Sequence, residues 1–297
     1  MTKGKRKGSN IICKYLHRRR EIRCTILLYY RNIDVNHTNC VLNGMTLECL
    51  PANLVGKIFR HLKPKDVLHC MVVCRNWYAV LVPENSEVWR QLCYSFVPQT
   101  SLFDETLFDK SASYKMKLRA WLFTWNPKDC SRNGYLTRGD FTFHRSPVAQ
   151  STDGVRGRRG FITGRHAWLV WWNRPLGTVA VLGVASKHAA LHCAGYIPLL
   201  GSDEQGWGWN LVDNTLLHNG FAVNAYPQGN NPPHYQPGEK LRVILDCDAH
   251  ILYFERDDEF LGIAFSDLPP IRLYPCISCV YGHSEVTMVY LGQPVDG

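Results

Sequence analysis

The sequence predicts a multi-domain protein, a small all-α module in its first third followed by an all-β antiparallel sandwich in its second half. Three observations carry that expectation. Between Leu50 and Leu92 the apolar residues recur at spacings of three and four, the period of one helix face. From Trp125 onward short alternating or apolar runs replace them, separated mostly by Gly, Pro, Asn or Asp. No amphipathic helical pattern lies between those runs, which favours two packed antiparallel sheets over parallel βαβ units.

Composition bounds the problem further. With 297 residues, 45% hydrophobic and 20% charged, the chain has length for two domains and material for a sizeable core, which excludes a disordered or collagen-like protein. The formal charge of +9 taken whole would point to nucleic acid or an anionic membrane. Residues 1–33, however, hold ten Lys/Arg against Glu21 alone, and residues 34–297 hold 24 basic and 24 acidic residues. The charge thus belongs to residues 1–44, which read as a basic, disordered tail or as an over-long start ahead of Met45. Starting at Met45 removes ten basic and two acidic residues and takes +9 to +1. A localisation or nucleic-acid arm is the rival reading of the same tail. The run TILLYY is too short and too far from Met1 for a secretory signal, and no segment supplies about 20 apolar residues for a span. The expectation is a soluble, intracellular, cytoplasmic chain without membrane contact.

Twelve cysteines are scattered without a compact framework, so reduced thiols are expected. The CxxC pair Cys276 and Cys279 lacks the further ligands that would complete a tetrahedral zinc site, and it sits in the β-rich stretch LYPCISCVY. Small buried thiols suit such a strand, and no metal or other cofactor is expected.

In the helical module, Leu50, Leu54, Val55, Ile58, Phe59 and Leu62 form one stripe, on a helix that Pro51 can begin because its missing N–H is harmless in the first turn. Pro64 ends that helix and opens a second carrying Val67, Leu68 and Met71; a third holds Val73, Trp77, Val80 and Leu81, and a fourth Trp89 and Leu92. About fifty residues in short helices bury little surface alone, so the module either packs on neighbours or is completed by a partner. The bland reading makes the whole stripe core. The string itself resembles an F-box: Leu50-Pro51, Leu54, Ile58-Phe59, Leu62, Asp66, Val73-Cys74-Arg75, Trp77 and Trp89-Arg90-x-Leu92 follow that family's pattern in order and spacing. The resemblance implies docking on a Skp-type adaptor of ubiquitin ligases, with Leu50, Pro51, Leu54, Ile58 and Phe59 entering its hydrophobic surface.

In the second half the expected strands are HAWLVWW (166–172), TVAVLGVA (178–185), LRVILD (241–246), ILYFE (251–255), FLGIAF (260–265) and EVTMVYL (285–291). Most of their aromatic residues are expected in the core. Gly164-Arg-His-Ala-Trp168, the strand from Gly177 to Ala185, Gly206-Trp-Gly-Trp209, Gly238, Asp246, Phe254, Leu261-Gly262-x-Ala264-Phe265 and Leu273-Tyr-Pro275 resemble a SPRY (B30.2-like) domain. PVAQSTDG (147–154) and GSDEQGWGWN (201–210) bring it near the peptide-binding SPRY domains of SOCS-box proteins, although the chain stops six residues after Leu291 without a SOCS box. The order F-box (45–94), helical linker (95–124) and SPRY (125–292) is similar to the F-box/SPRY domain-containing protein family.

That resemblance implies a target-peptide site on loops at one edge of the sandwich: Arg145, Pro147, Ala149 and Gln150 on the first loop, with Gly177, Thr178, Tyr196, Leu199, Val280, Tyr281 and Gly282 completing it. Arg145 is expected to pair with a carboxylate of the ligand. Leu176 stands where the SOCS-box relatives carry arginine and Tyr281 where they carry tryptophan, so the accepted peptide should differ. The alternative makes all of these ordinary turn and rim residues.

Catalytic motifs are missing: there is no GxSxG, HExxH, Walker A or helix-opening GxGxxG string. The glycine-rich run from Gly154 to Gly160 reads as a basic turn and Asp257-Asp258-Glu259 as a solvated hairpin tip. The sequence therefore predicts a non-catalytic substrate receptor of a ubiquitin ligase. By resemblance it would work with a large RING ligase of the Pam/Highwire type and restrain synaptic growth. A SPRY scaffold without a ligase role and nucleic-acid binding through the tail are the alternatives.

Overall fold

The computed structural model describes residues 51–229 and 232–294. Expectations for the basic tail and for Leu50 lie outside them. The chain divides into two compact units, and the division falls within the stretch expected as a linker: Ser113–Leu118 belongs with the first unit, and Val97–Ala112 and the chain from Arg119 onward form the second.

The first unit is helical. Its first helices are α1 (Ala52–Phe59), α2 (Pro64–Cys70), α3 (Arg75–Leu81) and α4 (Glu87–Phe96), and Ser113–Leu118 adds the start of a further helix, Tyr114–Leu122. Pro51 precedes α1, and its carbonyl accepts the N–H groups of Leu54 and Val55 at 3.0 and 3.1 Å, the first of which also donates to Asn53 Oδ1 at 2.9 Å. Pro64 occupies the first turn of α2, where its fixed φ fits and its missing N–H is not needed. The extended backbone of Cys74 separates α2 from α3. Ile58 and Phe59 of α1, Trp77 and Leu81 of α3, and Trp89 and Leu92 of α4 are buried within the unit. The Phe59 and Trp77 rings meet edge to face at 5.2 Å, and the Trp89 indole N–H donates to the Leu81 carbonyl at 3.0 Å. Ser113 hydrogen bonds Glu84 at 2.8 Å and the Cys93 thiol donates to the Tyr114 carbonyl at 3.0 Å, which ties Ser113–Leu118 to these helices.

The second unit is an antiparallel sandwich. Its strands are β1 (Trp125–Cys130), β2 (Gly134–Thr137), β3 (Thr142–Arg145), β4 (Ser151–Gly157), β5 (Arg165–Trp172), β6 (Ala180–Ala185), β7 (His192–Ala194), β8 (Gly206–Asn210), β9 (Thr215–His218), β10 (Phe221–Ala225), β11 (Leu241–Asp246), β12 (Ile251–Arg256), β13 (Glu259–Phe265), β14 (Tyr274–Cys279) and β15 (Glu285–Gly292). One sheet runs β1-β4-β14-β6-β8-β9-β10 with β7 also on β4, and the other runs β13-β12-β11-β5-β15-β3-β2. Between them lie Trp168, Val170 and Trp172 of β5, Val243 and Leu245 of β11, Leu182 and Val184 of β6, and Trp209 of β8. The opposite face of β5 is covered too: Trp171 packs with Leu107, Phe108 and Phe141, which explains why HAWLVWW runs apolar instead of alternating.

All six strands named from the sequence are present within a few residues of their expected limits. The basic turn expected at 154–160 is a correction. Residues Ser151–Gly157 form β4, buried throughout and paired with β14 on one side and with β1 and β7 on the other. Its Arg156 is concealed by giving hydrogen bonds to the carbonyls of Ser186 and Ala189 at 3.0 and 2.6 Å, so a buried strand carries a sequence that looks solvated. Asp257 and Asp258 do form the tip between β12 and β13, with φ of 49° and 64°.

Candidate functional site

The five positions expected to meet an adaptor separate by depth. Pro51 is exposed and Leu54 half-buried, whereas Ile58 and Phe59 are 3% and 1% exposed. The expectation for the last two is corrected: they support α1 from inside the helical unit, because Phe59 is spent on Trp77. The apolar surface that this unit does present includes Leu68, Val72, Tyr78 and Val82. Periodicity could not separate these from the core, since short helices leave both faces rich in apolar residues.

In the sandwich the structure brings four loops together. They are 146–150 between β3 and β4, 173–179 between β5 and β6, 195–199 after β7, and 280–284 between β14 and β15. Gly177, at φ 75°, lies so close to the next loop that a Cβ there would stand 2.9 Å from the Tyr281 Cβ. A Cβ on Gly282 would stand 2.9 Å from the Pro147 Cα. The Gln150 N–H donates to the Tyr196 hydroxyl at 3.0 Å, the Gly195 N–H to the Gln150 carbonyl at 2.9 Å, and the Val280 N–H to the Val179 carbonyl at 3.3 Å. Pro147, Ala149, Gln150, Gly177, Thr178, Tyr196 and Tyr281 are exposed and Gly282 is half-buried. Leu199 and Val280 are buried and brace the loops from beneath. Val148 and Ile197, which sequence reasoning missed, are exposed among them. Their apolar character next to Pro and Gly was the available signal.

Arg145 requires a correction. It is 1% exposed, so it does not face a ligand. Its Nε donates to Asp153 at 2.9 Å, and its other nitrogens donate to the carbonyls of Ser146, Val148 and Ser151 at 3.1, 2.7 and 2.7 Å. The guanidinium thus finds its carboxylate inside the chain and folds the 146–150 loop around itself. Asp153 also accepts from Ser131 at 2.6 Å, Ser151 at 2.7 Å and His192 Nδ1 at 2.9 Å. Burial alone would raise its carboxyl, but those hydrogen bonds and the Arg145 charge hold it below the usual carboxylate range.

Cys276 and Cys279 are buried, and burial pushes both thiols up to about 12. Protonated thiols are poor nucleophiles and poor ligands. Among the described residues no group of His, Cys, Asp and Glu is arranged to hold a metal ion, and no helix is long and apolar enough to cross a membrane. The loop surface exposes apolar and aromatic side chains together with hydrogen-bonding groups.

An F-box-like family model matches residues 47–95, and a SPRY domain model matches residues 165–292. The F-box/SPRY domain-containing protein 1 of Caenorhabditis briggsae is 55% identical over 248 residues, covering 84% of this chain and 75% of the relative. Its Drosophila virilis counterpart is 56% identical over 245 residues, covering 82% of this chain and 97% of the relative. Among solved structures, the SPRY domain of human HERC1 aligns with a TM-score of 0.45 and 16% identity, covering 56% of this chain and 96% of that one. Identity above one half over more than four fifths of the chain settles the relationship: the chain belongs to the F-box/SPRY domain-containing protein family.

Proposed function

We propose that this chain is the non-catalytic substrate-recognition subunit of an E3 ubiquitin ligase. The pairing of an F-box with a SPRY domain in one chain carries that reading. The F-box surface beginning at Leu50, Pro51 and Leu54 docks on a Skp-type adaptor, with Ile58 and Phe59 holding α1 in place behind it. The four converging loops hold a peptide segment of the target, with Tyr196 and Tyr281 as rigid amphipathic contacts. Holding target and conjugating enzyme in one assembly raises their effective concentration, so the receptor need do no chemistry itself. The RING partner in this reading is a large ligase of the Pam/Highwire type, and the setting is the synapse, where target removal restrains growth.

The test is a pull-down with a purified Skp-type adaptor. The intact chain is expected to be retained and a Leu54→Asp variant to be lost while keeping its helical circular dichroism. No retention of the intact chain would remove the ligase reading. Adding the RING partner and a candidate target then asks whether target ubiquitination depends on this chain.

A further inference from the structure

Arg174 is the one Asp, Glu, Lys or Arg side chain in the four loops. The stretches Ser146–Gln150, Pro175–Val179, Gly195–Leu199 and Val280–His283 contain no Asp, Glu, Lys or Arg. Arg174, at the start of the 173–179 loop, is 57% exposed, and its Nε lies 3.5 Å from the Glu285 carboxylate. Beneath the loops, Arg145 and Asp153 neutralise each other at 2.9 Å, both out of solvent, so neither projects a free charge to the surface. What the loops do expose is apolar or aromatic: Val148, Tyr196, Ile197 and Tyr281 are 38% to 47% exposed. Tyr196 accepts from the Gln150 N–H, which leaves its own hydroxyl proton free to donate to a carbonyl.

We infer that this surface selects uncharged, apolar peptide segments and rejects acidic ones. The inference rests on the proposed role of the loops in target capture and names the class of target they accept. An aspartate or glutamate brought among Val148, Tyr196, Ile197 and Tyr281 would lose its hydration, and the one loop cation, Arg174, already faces Glu285, a cost that an aliphatic or aromatic side chain does not meet. Val148, Ile197 and the two tyrosines supply the complementary contact, and the Tyr196 hydroxyl and Thr178 supply polar anchors for the peptide main chain. Leu176, half-buried against the main core, adds no second positive charge to the loop that carries Arg174.

The experiment pans a random peptide library on the full chain, in parallel with a Tyr196→Ala/Tyr281→Ala variant and a Thr178→Lys variant. Wild type is expected to enrich peptides with uncharged centres, which the double alanine variant no longer enriches. Placing aspartate at the most selected position of a synthetic peptide should weaken binding at least about tenfold. Raising salt from about 0.05 to about 0.5 M should change wild-type affinity less than about twofold, since no ion pair is made. Thr178→Lys should shift enrichment toward acidic peptides. Enrichment of acidic peptides by wild type, lost in the double alanine variant, overturns the inference and leaves the loops as the target site. Peptides that bind equally well to the double alanine variant, or no enriched peptides, overturn the loop reading itself and the inference with it.

Discussion

Arg145 and Asp153 form an ion pair at 2.9 Å in which neither side chain reaches solvent. Taking two charges out of water is costly, and here the cost is offset by hydrogen bonds from Arg145 to three backbone carbonyls and to Asp153 from Ser131 and Ser151. Breaking the pair from one side should therefore be severe. Arg145→Met leaves the Asp153 carboxylate buried without its cation and is expected to cost about 3–5 kcal/mol. The Arg145→Met/Asp153→Asn double variant should cost less than the sum of the single changes. Urea unfolding of the three variants measures this, and strict additivity would show that the pair is not coupled.

Half-buried His166 and buried Asp153 should make stability fall in acid, in separate windows. Burial lowers the His166 pKa below its usual 6.5; Thr163 takes the Nε2 proton through its carbonyl and the Tyr290 hydroxyl donates to Nδ1, so the folded ring is neutral. The unfolded chain then binds the extra proton first, and stability declines as pH drops below about 6.5. Asp153 acts later: its folded value lies below 3.8, so its contribution is intact above that pH and is lost as pH falls through the folded value. Denaturant titrations across pH should show His166→Gln flattening the first decline and Asp153→Asn the second.

The same residues show how much of the molecule the sequence could reveal. The strands rich in Val, Ile, Leu and Trp were legible because burial of both faces leaves a continuous apolar run, as in β5 and β6. β4 was not, because STDGVRG carries an aspartate, an arginine and two glycines whose partners come from β1–β2, β3, β7 and β14, outside the run itself. The loop cluster could be placed by resemblance, but whether Arg145 points outward or inward depends on Asp153, eight residues on and in the next strand. Composition cannot show which of two possible carboxylates, internal or external, an arginine will meet. On α1 the limit is similar: a stripe of six apolar residues does not say which of them the fold keeps for itself.

Gly177 couples two of the converging loops. Its φ of 75° disfavours any side chain, and a Cβ would press on Tyr281 at 2.9 Å. Gly177→Ala should cost about 1–2 kcal/mol and displace the Tyr281 loop. Target capture should then fall by more than the stability loss explains, with adaptor retention unchanged. Capture and thermal unfolding measured on the same preparation separate the two effects.

On α1, docking and folding can be told apart because adjacent positions of one stripe lie at different depths. Leu54 is half-buried, and an aspartate there can turn toward water, so Leu54→Asp should leave the unfolding transition of the helical unit nearly unchanged while abolishing adaptor retention. Phe59 is 1% exposed with its ring edge to face on Trp77 at 5.2 Å. Phe59→Ala removes that contact and opens a cavity, at a cost of about 3–5 kcal/mol. That exceeds what a unit of this size can spare, so adaptor retention should be lost together with helical circular dichroism. Cooling or a stabilising osmolyte should restore retention to Phe59→Ala and not to Leu54→Asp, because only the first defect is one of folding. If both variants lose helicity, Leu54 belongs to the interior; if neither loses the adaptor, the docking surface lies elsewhere on the unit, among Leu68, Val72 and Tyr78.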